Sequence, residues 1–264
     1  MSNHPSPSQG LKTVAKAMLL FALFFARTIS GLPAQNLHFA PAQVGDHQVI
    51  NHLQYSLSYN EAHEQADWVA YLLTKTEVNA SAKRHNRFYK DDMVRSKSAS
   101  PDDYANSGFD RGHLSPSADN NISSEANRES FFMSNISPQL PDFNRSGSWP
   151  KLEKWVRKQA DQLDSVYVIT GPVFRNSLGT IGENEVTIPG YFYKALLRFD
   201  KEGKPHTIAF LVPHLDSNVE LKRCIITVNS LESITGIDFF PFLEDSVENK
   251  VESGYSKKAW KSLP

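Results

Sequence analysis

Apolar positions in this chain fall into a few compact runs separated by long polar stretches. "QYSLSYN", Gln54 to Asn60, alternates like a strand entering a turn, and "WVAYLLT", Trp68 to Thr74, is a short apolar strand. From Thr76 to Asp110 the chain is polar throughout, a long connection of the kind that in compact domains carries function. At Ser148 the period changes. Pro150 suits a first helical turn, and "KLEKWVRKQADQL" brings Leu152, Trp155, Val156 and Leu163 to one face, which predicts a helix. "SVYVITGPVF" reads as a buried strand ended by Gly-Pro. "VTIPGYFYKALLRFD" and "HTIAFLVPHL" read as two more, the second closed by Pro213. "LKRCIITVNSLESITGIDFF" combines an apolar run with a short helix expected from Ser230. The pattern predicts one α+β domain, over residues 51–245, after an extended lead-in at 35–50. A polar tail, 246–264, is expected to pack loosely.

The first 34 residues follow a different pattern. A polar start with Lys12 and Lys16 leads into the apolar run Ala17–Ala26, then Arg27, small residues and Pro33. The run falls short of the ~20 residues that span a bilayer. It matches a secretory signal, so export is expected, with a membrane anchor at residues 17–26 as the alternative. This segment holds three of the 28 basic residues and none of the 29 acidic ones, so the formal net charge of −1 becomes about −4 without it. No global basic field exists to draw in a polyanion, and a local patch or a metal ion would have to do so. The single cysteine, Cys224, rules out an intrachain disulfide and argues against a cysteine-based zinc site. Its apolar neighbours suggest a buried, inert thiol.

The chemistry concentrates in "FDRGHLSP", Phe109 to Pro116, with "AKRHNRFYKDD" upstream and "FFMSNISPQLPDFNRS" and "WPKLEKW" downstream. These segments supply Arg84, Arg87, Asp110, Arg111, His113, Asn135, Asn144 and Glu153. There is no nucleophile-elbow serine, no Gly-rich phosphate loop and no His-Glu-x-x-His. Present instead are a candidate general base, cations to clamp an anion, and oxygen ligands for a hard metal. Phosphodiester hydrolysis needs those three things. A histidine can take a proton from water near neutral pH, and guanidinium or a divalent cation offsets charge on the phosphoryl oxygens.

"DRGHLSP" followed by "MSNISPQ", "FN", "W" and "LE" resembles the DNA/RNA non-specific endonucleases, the family that includes endonuclease G. "YSLSYNEAHEQADWVAY", "VYVITGPVF", "IPGYFYKALL" and "SLESITGIDFF" extend the likeness over roughly Leu53 to Leu243. The resemblance implies a central antiparallel sheet flanked by helices with a ββα-metal (His-Me finger) active site. It implies His113 as general base, Asn144 as the direct ligand of Mg²⁺ (Mn²⁺ as substitute), and Glu153 holding metal-bound water. Arg84 would bind phosphate, with Arg87 as competitor. Asp110 and Arg111 would brace the site, and Asn135 would orient His113 or the metal shell. DNA and RNA would be cut with little sequence preference to 5′-phosphate ends. An inhibitor protein as partner stays open, as does the choice between monomer and homodimer. Two rival readings remain, a phosphodiesterase for a non-nucleic-acid diester on the same scaffold and a non-catalytic nucleic-acid-binding protein.

One departure stands out. Asn144 and Glu153 are nine residues apart where the family commonly has eight, and one extra residue on an unbroken helix would rotate a side chain by ~100°. Ser146, Gly147 and Ser148 before Pro150 suggest that the extra residue is absorbed in a loop before the helix.

Overall fold

The computed structural model describes residues 39–43, 45–215 and 218–264. The export segment, the alternative anchor and the first part of the lead-in lie outside the described residues. Among the described residues no helix is long and apolar enough to cross a membrane.

In chain order the strands are β1 (Gln48–Asn51), β2 (Ser56–Asn60), β3 (Gln65–Thr74), β4 (Asp110–His113), β5 (Ile136–Gln139) and β6 (Ser165–Val173). They continue as β7 (Thr180–Ile181), β8 (Val186–Thr187), β9 (Tyr191–Phe199), β10 (Pro205–Pro213) and β11 (Ile225–Ile226). The helices are α1 (Lys75–Val78), α2 (Ser124–Glu129), α3 (Pro141–Arg145), α4 (Ser148–Leu163), α5 (Val228–Thr235) and α6 (Asp245–Glu252). Seven strands form an antiparallel sheet in the order β1-β2-β3-β6-β9-β10-β11; β4 pairs with β5 and β7 with β8 in two small ribbons.

The central strands read as unbroken apolar runs because both faces of the sheet are covered. On β9, Phe192 and Leu196 join Trp149, Leu152, Trp155 and Val156 of α4 in one core. Tyr193, Ala195 and Leu197 join Val228 and Leu231 of α5, with Phe239 and Phe240, in the other. By the same alternation Lys194 shares the α4 side with Phe192 and Leu196.

The structure departs from the sequence pattern in four places. The lead-in does not stay outside the fold, since Gln48–Asn51 is the edge strand β1. Helix α5 begins at Val228, two residues before Ser230, because the Thr227 hydroxyl accepts from Ser230 N at 3.1 Å and caps it. The tail is not loose. Trp260 is buried against Trp155, ring centroids 6.0 Å apart, and Gln159 bonds the backbone of Lys261 in both directions at 2.7 Å. One tryptophan anchors an otherwise polar strap, a contact that a tail's average polarity hides. His214, just past Pro213 where the apolar run closes, is nonetheless buried, 1% exposed. Its Nδ1–H donates to Pro189 O at 2.8 Å and its Nε2 accepts from Leu140 N at 2.7 Å, tying β10 to the segment before α3.

Candidate active site

The ribbon β4–β5 carries the Asp-Arg-Gly-His string. Asp110 stands opposite Gln139, Gly112 opposite Ser137 and His113 opposite Ile136. The glycine is required by close packing: a Cβ on Gly112 would lie 2.2 Å from Gln139 Cδ and Oε1 and 2.4 Å from Cγ. Gln139 is fully buried and has nowhere to move. After β5 the chain enters α3, breaks at Ser146–Gly147 and resumes as α4, so two strands and a helical segment converge on one hollow. The break falls between Asn144 and Glu153. Gly147 N bonds Asp142 O at 2.7 Å, and a Cβ on Gly147 would meet that oxygen at 2.7 Å, so the tight turn needs glycine. Asn144, before the break, and Glu153, after it, line the same cleft.

That cleft, about 410 Å³, brings together Arg84, Asp110, Arg111, His113, Asn144 and Glu153. Arg87 and Asn135 are not in it. The Arg87 guanidinium lies 5.4 Å from the Tyr89 ring centroid, and the side chain is exposed. Asn135 is fully buried and spends its amide on backbone. Its Oδ1 accepts from Ser115 N at 2.8 Å, and its Nδ2 donates to Ser115 O and Ser130 O at 2.9 and 2.8 Å. It clamps the backbone two residues beyond His113.

Phe131 is a shared platform. The imidazole of His113 meets it edge-on at 4.7 Å between centroids, and the Arg84 guanidinium lies 5.0 Å from its centroid while donating to Ser117 Oγ. His113 Nε2 is buried with no hydrogen-bond partner. Burial first, and the Arg84 charge second, push the imidazole down to about 3, so it is neutral at neutral pH. Arg111 is tied down, donating to Pro101 O at 2.7 Å and lying 5.5 Å from the Phe88 centroid.

Asp110 sets the orientation of Asn144. Its carboxylate accepts from Asn144 Nδ2 at 3.0 Å and is held in turn by Arg145 at 2.5 and 2.8 Å. With its amide nitrogen committed there, the Asn144 carbonyl oxygen is the end free to act as a ligand. Among the described residues no group of three His, Cys, Asp or Glu could hold a metal ion. An all-protein cage is therefore absent among them, and the donors fit a cation such as Mg²⁺ that keeps most of its waters and takes one or two protein oxygens.

Behind Glu153 lies a charge layer that the sequence reading missed. Burial raises the Glu153 carboxyl above the usual range, opposed by the charges of Lys194, Arg157 and Arg84. Lys194 has no exposure; its Nζ bonds Thr170 Oγ1 at 3.2 Å and lies 4.5 Å from the Trp149 ring centroid. Arg157 does not take Glu153 as a hydrogen-bond partner. It donates to buried Asp119 at 2.8 Å, and Asp119 also accepts from Tyr71 OH at 2.8 Å. A lone lysine inside the apolar "YFYKALLRF" was the available signal.

This geometry can be set beside known proteins. The family model for DNA/RNA non-specific endonucleases matches residues 33–246. The chain belongs to the DNA/RNA non-specific endonuclease family. A nuclease from Nostoc is 34% identical over 215 residues, covering 76% of this chain and 77% of that one. Human mitochondrial endonuclease G is 31% identical over 208 residues, covering 74% and 70%. This chain spans only 56% of the length of mouse mitochondrial nuclease EXOG, at 34% identity. Among solved structures, the complex of EndoG with EndoGI, which describes EndoG inhibition, aligns with a TM-score of 0.71 at 26% identity, covering 76% of this chain and 89% of that one. Family membership establishes the α+β endonuclease fold and makes the chain an enzyme, a nuclease, which sets aside the non-catalytic reading.

Proposed function

We propose that the cleft hydrolyses phosphodiester bonds of DNA and RNA with a single divalent cation, Mg²⁺ with Mn²⁺ as substitute. The observation carrying this is the convergence of a neutral, unpartnered imidazole, an oriented carboxamide oxygen, a carboxylate and two guanidinium groups on one hollow. Asn144 would hold the cation directly and Glu153 would hold its hydration shell. The cation would compensate charge on the phosphoryl and leaving oxygens. His113 accepts the proton of the attacking water. Arg84 and Arg111 draw the phosphate in and offset its growing charge. The P–O3′ bond breaks, leaving a 5′-phosphate and a 3′-hydroxyl. Binding through phosphate contacts would leave cutting tolerant of sequence. An inhibitor protein would act by covering this cleft. Residues 1–34 would direct export of the chain.

The test is incubation of the purified chain with plasmid DNA and with RNA, with Mg²⁺ and with EDTA. Cleavage of both, lost in EDTA and reduced roughly 10²- to 10⁴-fold in His113→Ala, is expected. Full cleavage by His113→Ala would remove its role as base.

A further inference from the structure

We propose that a second, larger groove beside the cleft is a track for the sugar-phosphate backbone of a nucleic-acid strand running out of the cleft. This rests on the nuclease reading above and extends it to residues outside the catalytic hollow. The groove, about 900 Å³, is bordered by Lys151, Lys154 and Lys158 of α4 and by Lys222 across from them. The three α4 lysines sit at i, i+3 and i+7, one stripe along about 10 Å of helix axis.

Charge is left over in this groove. Of its two acids, Glu220 pairs with Arg223 at 3.1 Å, while Asp161 accepts only from the neutral Asn79 Nδ2 at 3.2 Å and keeps its charge. Lys151 donates to Asn218 Oδ1 at 2.8 Å. Lys154, Lys158 and Lys222 are exposed, and among the described residues none has an ion-pair partner. With Arg157 paired to Asp119, four lysines face one unpaired carboxylate, and on a chain of formal net charge −1 this excess forms the local patch that a polyanion needs.

The groove and the cleft are lined from two of the same chain segments. Helix α4 presents Glu153 to the cleft and Lys154 to the groove. The chain from α1 presents Asn79 to the groove and, five residues on, Arg84 to the cleft. A strand held by Arg84 would reach the lysines along these two segments.

The test uses the full chain with His113→Ala, so that labelled DNA survives in Mg²⁺. Anisotropy of a duplex of about 30 base pairs is followed from about 0.05 to 0.3 M salt, with and without Lys154→Gln, Lys158→Gln and Lys222→Gln together. A control triple, Lys201→Gln, Lys250→Gln and Lys257→Gln, makes the same charge change elsewhere. Removing three contacts at ~0.9 each should flatten the slope of log K against log salt by about 2 to 3 and weaken binding roughly ten- to hundred-fold near 0.15 M. If the groove triple changes the slope no more than the control triple, the track is refuted, and an acidic protein becomes the occupant to seek. Turnover by the wild-type chain reports separately on the cleft. A chain that binds through these lysines but cuts nothing would overturn the nuclease reading and leave the track standing.

Discussion

Replacing Gly112 by alanine adds one methyl at the most crowded point of the β4–β5 ribbon. The new Cβ would lie 2.2–2.4 Å from three atoms of Gln139, well inside contact distance. A glutamine at the surface would swing away at little cost, but Gln139 is fully buried, and both its amide atoms already lack hydrogen-bond partners. Either the ribbon opens or the amide is driven further into its neighbours. Overpacking of this kind costs about 1–3 kcal/mol. His113 is the next residue on the strand, paired with Ile136, so an opening ribbon also shifts the imidazole. A misplacement near 1 Å at a reacting group costs on the order of 10²-fold in rate. The assay is a double-mutant cycle of Gly112→Ala and Gln139→Ala, with urea unfolding for stability and plasmid cleavage for rate. Gly112→Ala should lose both, and the pair should recover at least about 1 kcal/mol and much of the rate, since alanine at 139 vacates the colliding atoms. Wild-type stability and activity in Gly112→Ala, or additive losses in the double variant, would refute the claim that Gln139 dictates the glycine.

Three other perturbations probe the remaining layers. Burial lowers His113 and raises Glu153, so in the free enzyme the acid limb of kcat/KM belongs to the carboxylate, while the imidazole stays neutral well below pH 6.5. Glu153→Gln should flatten that limb in a profile from about pH 5 to 9, and an unchanged limb would reassign it. Asp110→Asn should raise the metal concentration for half-maximal activity roughly 10- to 100-fold, because the carboxylate that orients Asn144 is gone; an unchanged requirement would detach Asp110 from the ligand. Lys194→Met should destabilise the chain by roughly 3 kcal/mol in urea by leaving Glu153 without its foremost cation, and adding Glu153→Gln should recover most of the loss. A double variant no more stable than the single would show that the two charges do not depend on each other.

The charge layer under Glu153 gives this cleft carboxylate a fixed surrounding. Asp119 is shared by Tyr71 from β3 and Arg157 from α4, so sheet and helix hold it together. Lys194 reaches the same layer from β9. The four come from two strands, a helix and a short turn, and none is adjacent in sequence to the Asp-Arg-Gly-His string.

Much of the fold was legible because it is written in period and order. The unbroken apolar strands announced a sheet covered on both faces. Pro150 and the spacing of Leu152, Trp155 and Val156 announced α4, and the ordered motif from Asp110 to Glu153 announced the cleft. Even the extra residue before α4 could be assigned to the turn at Ser146–Gly147, since glycine and serine there mark a helix break. Only the tertiary structure shows which of Arg84 and Arg87 lines the hollow, since they differ by three positions in a stretch without regular period. Arg84 lies beside Phe131 and faces the hollow, whereas Arg87 lies beside Tyr89 and faces solvent. It likewise revealed the buried Lys194, the Trp260 strap and the lysine-bordered groove on α4. Sequence period records which side of an element a residue occupies, a matter of backbone geometry over a few residues. What stands on that side is decided by chain segments dozens of residues away, and those meet only when the core closes.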